Sequence, residues 1–363
     1  MTTDQDAAGP SPASDPSSTL NLTRVVNDFL REIGEFIMEH LRGKYGLLQS
    51  GSGVDGSSLP PIIVFEPEAA SIYCQEQCKH VNLRAGDKFL VADIGGGTTD
   101  IVVQAKVDNS NYSMKVREVS RSSGGLWGGT HVDRSFVSFL SNKIGCLRSF
   151  LAQNPGTVKN LLGWWEGTKA SFDDSEYYSA ELSLPGKLAS AWQEHDRQQK
   201  QRNSEDRSKN SSCGPDASDE LELSCADMKT IFDPVVERII ELIRAQMAQT
   251  SDIKLMMVVG GFSASPYLMK RVRDTFIHQV EEVISPPDPG SAVCQGAVAL
   301  AINKESIVSR IARKTYSIKF MQRFRAGLDP LEHIVWVEGI AKCMNKLDIF
   351  VQERSEVEVD YCV

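Results

Sequence analysis

The sequence contains no run of about 18 consecutive apolar residues, so it offers no candidate for a membrane-spanning helix. It also lacks a recognisable leader: Met1–Ser18 is polar with Pro and Gly, where a secretory signal would be basic and then apolar. Basic charge is in deficit. The 39 Lys and Arg against 48 Asp and Glu leave a net charge of -9, which argues against a phosphate backbone as partner. Neither nucleic acid nor a membrane is therefore expected among the partners. A cysteine framework is missing too, and eight scattered cysteines without a leader read as reduced thiols of a cytoplasmic or nuclear protein. Cys74, Cys78 and His80 lack a fourth ligand at finger spacing and read as ordinary helix residues. The Asn-x-Ser/Thr triplets at Asn21, Asn111 and Asn210 should stay bare for the same compartment reason. Two common nucleotide motifs are absent as well. Gly51 and Gly56 have phosphate-loop spacing but no lysine beside them, and no Gly-x-Gly-x-x-Gly opens a helix after a strand.

What is present is the composition of a folded domain, 41% hydrophobic and 24% charged. At 363 residues the chain suffices for one large two-lobed domain or two ordinary ones. Residues 1–20 are poor in apolar side chains and read as a disordered tail. Residues 21–60 combine a helical apolar pattern from Leu22 to Leu41 with a Gly/Ser linker at 51–58. Residues 61–312 carry the core pattern. A helix opens at Glu66-Pro67-Glu68, strands are expected at Phe89–Asp93, Asp100–Val107 and Tyr112–Val119, and a glycine cluster (Gly124, Gly125, Gly128, Gly129) leads into a helix at 131–144. The apolar face of Ile231, Val235, Ile239, Ile240, Ile243 and Met247 marks another helix. A buried-type strand at Ile253–Val259, helices from Pro266 and Ala292, and a short strand at Val283-Ile284 complete this stretch. The polar run 193–220 interrupts it and reads as a flexible insertion, and 313–363 reads as a strand-rich C-terminal segment.

Chemistry concentrates in two glycine turns. In Phe89–Asp100 a buried strand delivers Asp93 to three consecutive glycines. Gly95, Gly96 and Gly97 let backbone N–H groups close on an anion, and Thr98 adds a hydroxyl donor. Asp93 and Asp100 would repel phosphate directly, so their natural role is through a divalent cation or its waters. Far downstream, Met256–Pro266 repeats the arrangement as strand, Gly260-Gly261 and helix start. Either turn alone is a common structural feature; two facing each other would make a nucleotide cleft.

These segments resemble a known family. Glu66–Ala70 resembles the connecting segment of the actin, sugar-kinase and heat-shock protein 70 superfamily, Asp93–Asp100 its second phosphate loop, and Val258–Pro266 its adenosine loop. Asp288–Ala297 resembles the helix that follows, while Phe65–Cys74 and Ser309–Tyr316 are similar to the member-12 branch of the heat-shock protein 70 family. The resemblance implies an α/β, actin-like nucleotide-binding domain with mixed sheets flanked by helices and an incomplete first lobe. It implies ATP or ADP with Mg2+, with Asp93 and Glu66 as catalytic groups, Asp93 and Asp100 at the metal, and Gly95, Gly96, Gly97 and Thr98 on the phosphates. Gly260 and Gly261 would lie along the adenosine, and Glu166 and Lys169 would hold ribose and adenine, unless they form an exposed helix pair. Client or regulatory proteins are the further partners it implies.

Departures from the family pattern keep the activity open. No Asp-x-Gly-Thr first phosphate loop or catalytic lysine precedes Pro61, Ala264 stands where the family has a stacking arginine, and Gly290 where it has a ribose-side aspartate. The expectation is thus either an ATPase working by lobe closure or a non-catalytic nucleotide-sensing module. A sugar kinase of the same superfold would need a substrate-side base that the sequence does not supply.

Overall fold

A computed structural model describes residues 64–77, 81–108, 115–204 and 220–359. The expected tail, the 22–41 helix, the 51–58 linker, Cys78, His80 and the three Asn-x-Ser/Thr triplets lie outside the described residues.

One mixed sheet organises the molecule. Its strands are β1 (Lys88–Ile94), β2 (Thr99–Lys106), β3 (Val116–Glu118), β4 (Ser123–Gly125), β7 (Ile253–Val259), β8 (Glu282–Ile284), β9 (Ile307–Ile311) and β13 (Glu356–Glu358). The order runs β13-β9-β3-β2-β1-β7-β8, with β4 pairing on β2. β1 lies antiparallel to β2 and parallel to β7. Its central strands read as unbroken apolar runs because both faces are covered. Alternate side chains go to opposite sides. Leu90, Ala92 and Ile94 of β1, with Met256 and Val258 of β7, enter one core. Phe89, Val91, Leu255, Met257 and Val259 enter the other.

The helices are α1 (Glu66–Gln77), α2 (Gly129–Lys143), α3 (Leu147–Gln153), α4 (Gly156–Ser171), α5 (Gly186–Ser204), α6 (Cys225–Met247), α7 (Pro266–Phe276) and α8 (Ala292–Ile302). Residues of α1 and α8 cover the second core. Those of α2, α4, α6 and α7 cover the first, where Phe136 stacks on Trp165 at 4.1 Å between ring centroids. α6 starts at a reciprocal capping box between Ser224 and Asp227, and α7 at a Ser265 cap followed by Pro266.

Two smaller sheets complete the described chain. β5 (Ser179–Ser183) pairs with β6 (Glu220–Ser224), and β12 (Ile340–Val351) lies between β10 (Tyr316–Arg323) and β11 (Ile334–Val337). The architecture is the α/β, actin-like one expected, a mixed sheet flanked by helices. One local expectation changes. The polar run from Gln193 does not begin as a loop, because α5 continues through Ser204. Its buried anchors Leu188, Ala189 and Trp192 all precede that run, and the Gln, Glu, Arg and Lys residues that follow are good helix formers on a wet surface.

Candidate functional site

The register of two parallel strands builds the site. Asp93 at the end of β1 pairs with Val259 at the end of β7, so the turns that follow each strand leave the same sheet edge side by side. Ligands of open α/β sheets bind at such carboxyl ends. Contact between the turns is close. Gly260 has φ +88, and a Cβ added there would lie 2.5 Å from the Ile94 carbonyl oxygen and against the Asp93 carboxylate. Only glycine fits. The Gly260 N–H donates to the Pro289 carbonyl at 2.8 Å, which brings the 288–291 turn and Gly290 against Gly261.

Three glycines after β1 form a tight reversal closed by the Gly95 N–H donating to the Thr98 carbonyl at 2.9 Å. That bond commits the Gly95 amide inside the turn, so it is not one of the free phosphate donors that the sequence suggests. Gly96, Gly97 and Thr98 are exposed. A second glycine pair packs on the first: Gly129 N–H donates to Gly95 O at 3.1 Å, and Thr130 N–H and Oγ1 to Gly96 O at 2.8 and 2.9 Å. A Cβ on Gly128 would sit 2.5 Å from Gly95 O. The cluster that the sequence shows only as a lead into a helix therefore supports the turn itself.

Gly96, Glu166, Lys169 and Gly261 line one cavity of about 350 Å³. Sequence reasoning missed its other chemistry-bearing walls, Thr130 and Asp133 of α2 and Phe262 after the second turn. Ala264 is also on the wall and offers no stacking plane. Lys169 is not half of an exposed pair. Its ammonium donates to Asp133 Oδ1 at 2.7 Å and to Glu166 at 3.1 Å, and its side chain is only 14% exposed. Asp133 Oδ1 also accepts from Trp165 Nε1 at 2.9 Å, so α2 and α4 share one carboxylate. The signal that could have found it is a Thr-x-x-Asp one turn into the helix after Gly128-Gly129.

The acidic corner lies beside these turns. Asp93 is 7% exposed and forms no ion pair among the described residues. Burial, then the neighbouring Glu66 and Asp100 carboxylates, push its pKa up to about 6. Among the described residues no three His, Cys, Asp or Glu side chains form a metal cage. A buried carboxylate with two others near enough to raise its pKa suits Mg2+, which keeps most of its waters and takes phosphate oxygens alongside one or two carboxylates. Asp100 is placed differently from the other residues of the set. It pairs with Asp93 across the hairpin, yet its cavity is a second one of about 430 Å³ shared with Arg121, Arg313 and Arg354. Gly95, Gly97, Thr98 and Gly260 shape the turns without lining the first cavity.

A family model described as Domain of unknown function (DUF8340) matches residues 83–285. Human Heat shock 70 kDa protein 12B is 29% identical, over 77% of this chain and 42% of that protein. Human Heat shock 70 kDa protein 12A is 26% identical, over 85% of this chain and 53% of that protein. Chaperone protein DnaK of Thermoplasma volcanium is 24% identical, over 64% of this chain and 35% of that protein. The chain thus spans about half the length of the two human relatives it matches.

Proposed function

Because the chain belongs to the DUF8340 family and to the member-12 branch of the heat-shock protein 70 family, we propose that it binds ATP or ADP with Mg2+ between its two glycine turns. The observation that carries this reading is the Asp93–Val259 register, which sets the turns against one another at a shared sheet edge. The cavity between Gly96 and Gly261 takes the nucleoside, with Glu166 and Lys169 at ribose and base. The exposed amides of Gly96, Gly97 and Thr98 face the phosphates. Asp93 and Glu66 would hold the magnesium through its waters, with Asp100 contributing to the same field. Bound there, Mg2+ would neutralise phosphate charge and orient the terminal phosphoryl group.

Whether binding leads to hydrolysis is a separate step. The one cation lining the cavity among the described residues is Lys169, and it is already held by two carboxylates. Beside the metal, a phosphoryl-transfer site uses an uncommitted protein cation to meet developing charge. That favours nucleotide sensing over turnover for these residues, with a chaperone-like or regulatory output towards client proteins. Calorimetric titration of the full chain with Mg-ATP and Mg-ADP tests the binding, and saturable binding is expected for at least one. Absence of binding to either would sink the reading. Phosphate release by wild type above that of Asp93→Ala would instead establish an ATPase.

A further inference from the structure

The second cavity carries an inference of its own. It shares no lining residue with the nucleotide cavity and is walled by three arginines from three separate links. Arg121 comes from the link between β3 and β4, Arg313 from that between β9 and β10, and Arg354 from that between β12 and β13. Arg121 meets Glu353 at 2.8 Å. Arg313 lies over the Phe65 ring at 5.5 Å. Arg354 makes no ion pair among the described residues, and its backbone is held in the left-handed region at φ +68. A non-glycine residue in that region is a strained choice that local structure must enforce.

The enforcement is visible. Arg354 N–H donates to Ala312 O and Ser355 takes up the Ala312 N–H, both at 2.8 Å, so two of the three links are laced together. The third is fixed by Gln246, whose fully buried amide donates to Ser120 Oγ and Arg121 O at 3.0 Å. The arginines therefore stand on preorganised backbone. Asp100 is the one carboxylate in the wall and Arg121 is already paired to Glu353, but Arg313 and Arg354 leave the space locally positive in a chain of net charge -9. Guanidinium groups gathered around one space repel each other unless an anion sits between them. Their planar forks match phosphate oxygens, and Ser122 and Ser123 add hydroxyls to the wall.

We propose that this cavity binds a phosphomonoester dianion, as free phosphate or as the phosphate group of a larger molecule. A doubly charged group offers an anionic oxygen to each of Arg313 and Arg354, the two arginines of the wall not paired to Glu353. The space of about 430 Å³ admits the group with part of its carrier.

The test is calorimetric titration of the full chain with inorganic phosphate and with O-phosphoserine, with serine as control, against Arg313→Gln/Arg354→Gln. Saturable binding is expected in the wild type, weakened about tenfold or more in the double variant, which is the loss of charge-assisted pairs. Mg-ATP affinity should be the same in both proteins, which separates this cavity from the nucleotide cavity. Binding of both probes, or of phosphate alone, supports the proposal and tells ester from free anion. Binding of neither probe at millimolar concentration overturns it, as does undiminished binding in a folded double variant. Should the double variant unfold, Arg354→Gln alone is read the same way, because its side chain supports no ion pair among the described residues.

Discussion

At Gly260 the backbone turns through φ +88 while the Ile94 carbonyl and the Asp93 carboxylate press on the place where a side chain would start. At Gly261, one residue on, no φ constraint applies and no atom lies within 4 Å of an added Cβ. The two glycines should therefore answer differently to the same substitution. Gly260→Ala combines a left-handed penalty with displacement of neighbouring backbone, an expected loss of roughly 3 kcal/mol in urea unfolding. Gly261→Ala should leave stability within about 0.5 kcal/mol, since nothing must move. Its methyl instead enters the cavity that Gly261 lines, so nucleotide affinity should fall severalfold in the calorimeter. Equal destabilisation by both changes would contradict the packing of one turn on the other.

Among the elements, α1 and α8 meet at backbone distance. A Cβ on Gly296 of α8 would lie 3.1 Å from Ala69 Cα and nearer still to the Ala69 carbonyl. Gly296→Ala must push the helices apart, which should cost at least about 2 kcal/mol of stability. The displacement reaches the site, because α1 begins at Glu66 and Glu66 is one of the carboxylates acting on Asp93. The Mg2+ dependence of nucleotide binding should weaken more than binding without metal, and proportional losses would argue against Glu66 as the link. The small-residue pattern of Ala292–Ile302 was readable in the sequence, but its cause, the contact with Ala69, was not. Legibility followed that rule throughout. β1 and β7 announce themselves by apolar runs ending in glycines and β2 by the run that follows the first of these turns, and the shared edge of β1 and β7 follows from those runs. β5 buries only Leu182 among five residues, too little apolar signal for a strand to show. Asp133 was harder to read for a different reason: the Thr-x-x-Asp after Gly128-Gly129 marks the position, but its bond to Lys169, 36 positions away, is not encoded locally.

For the molecule as a whole, two carboxylates bias stability in opposite directions over separate pH windows. Asp174 is partly desolvated, but hydrogen bonds from Lys229 and Lys270 outweigh this and hold its pKa down to about 2 against an ordinary 3.8. Its stabilisation is complete above 3.8 and is lost as pH falls towards 2. Asp93 runs the other way. Burial, with Glu66 and Asp100 adding to it, raises its pKa from 3.8 to about 6, so between these values the folded chain holds a proton that the unfolded chain has released. Stability from this group therefore falls as pH rises through that window, by on the order of 3 kcal/mol across the gap. Asp93→Asn keeps the shape and removes the charge. Urea unfolding should find the variant more stable than wild type at pH 7.5 and nearly equal to it at pH 4. A cation held by Asp93 would offset the same cost, so Mg-ATP should raise the wild-type midpoint at pH 7.5 and do so far less in the variant. A gain of equal size at both pH values would show that the carboxylate is not penalised in the fold. The divalent cation would then have lost the main physical reason for binding there.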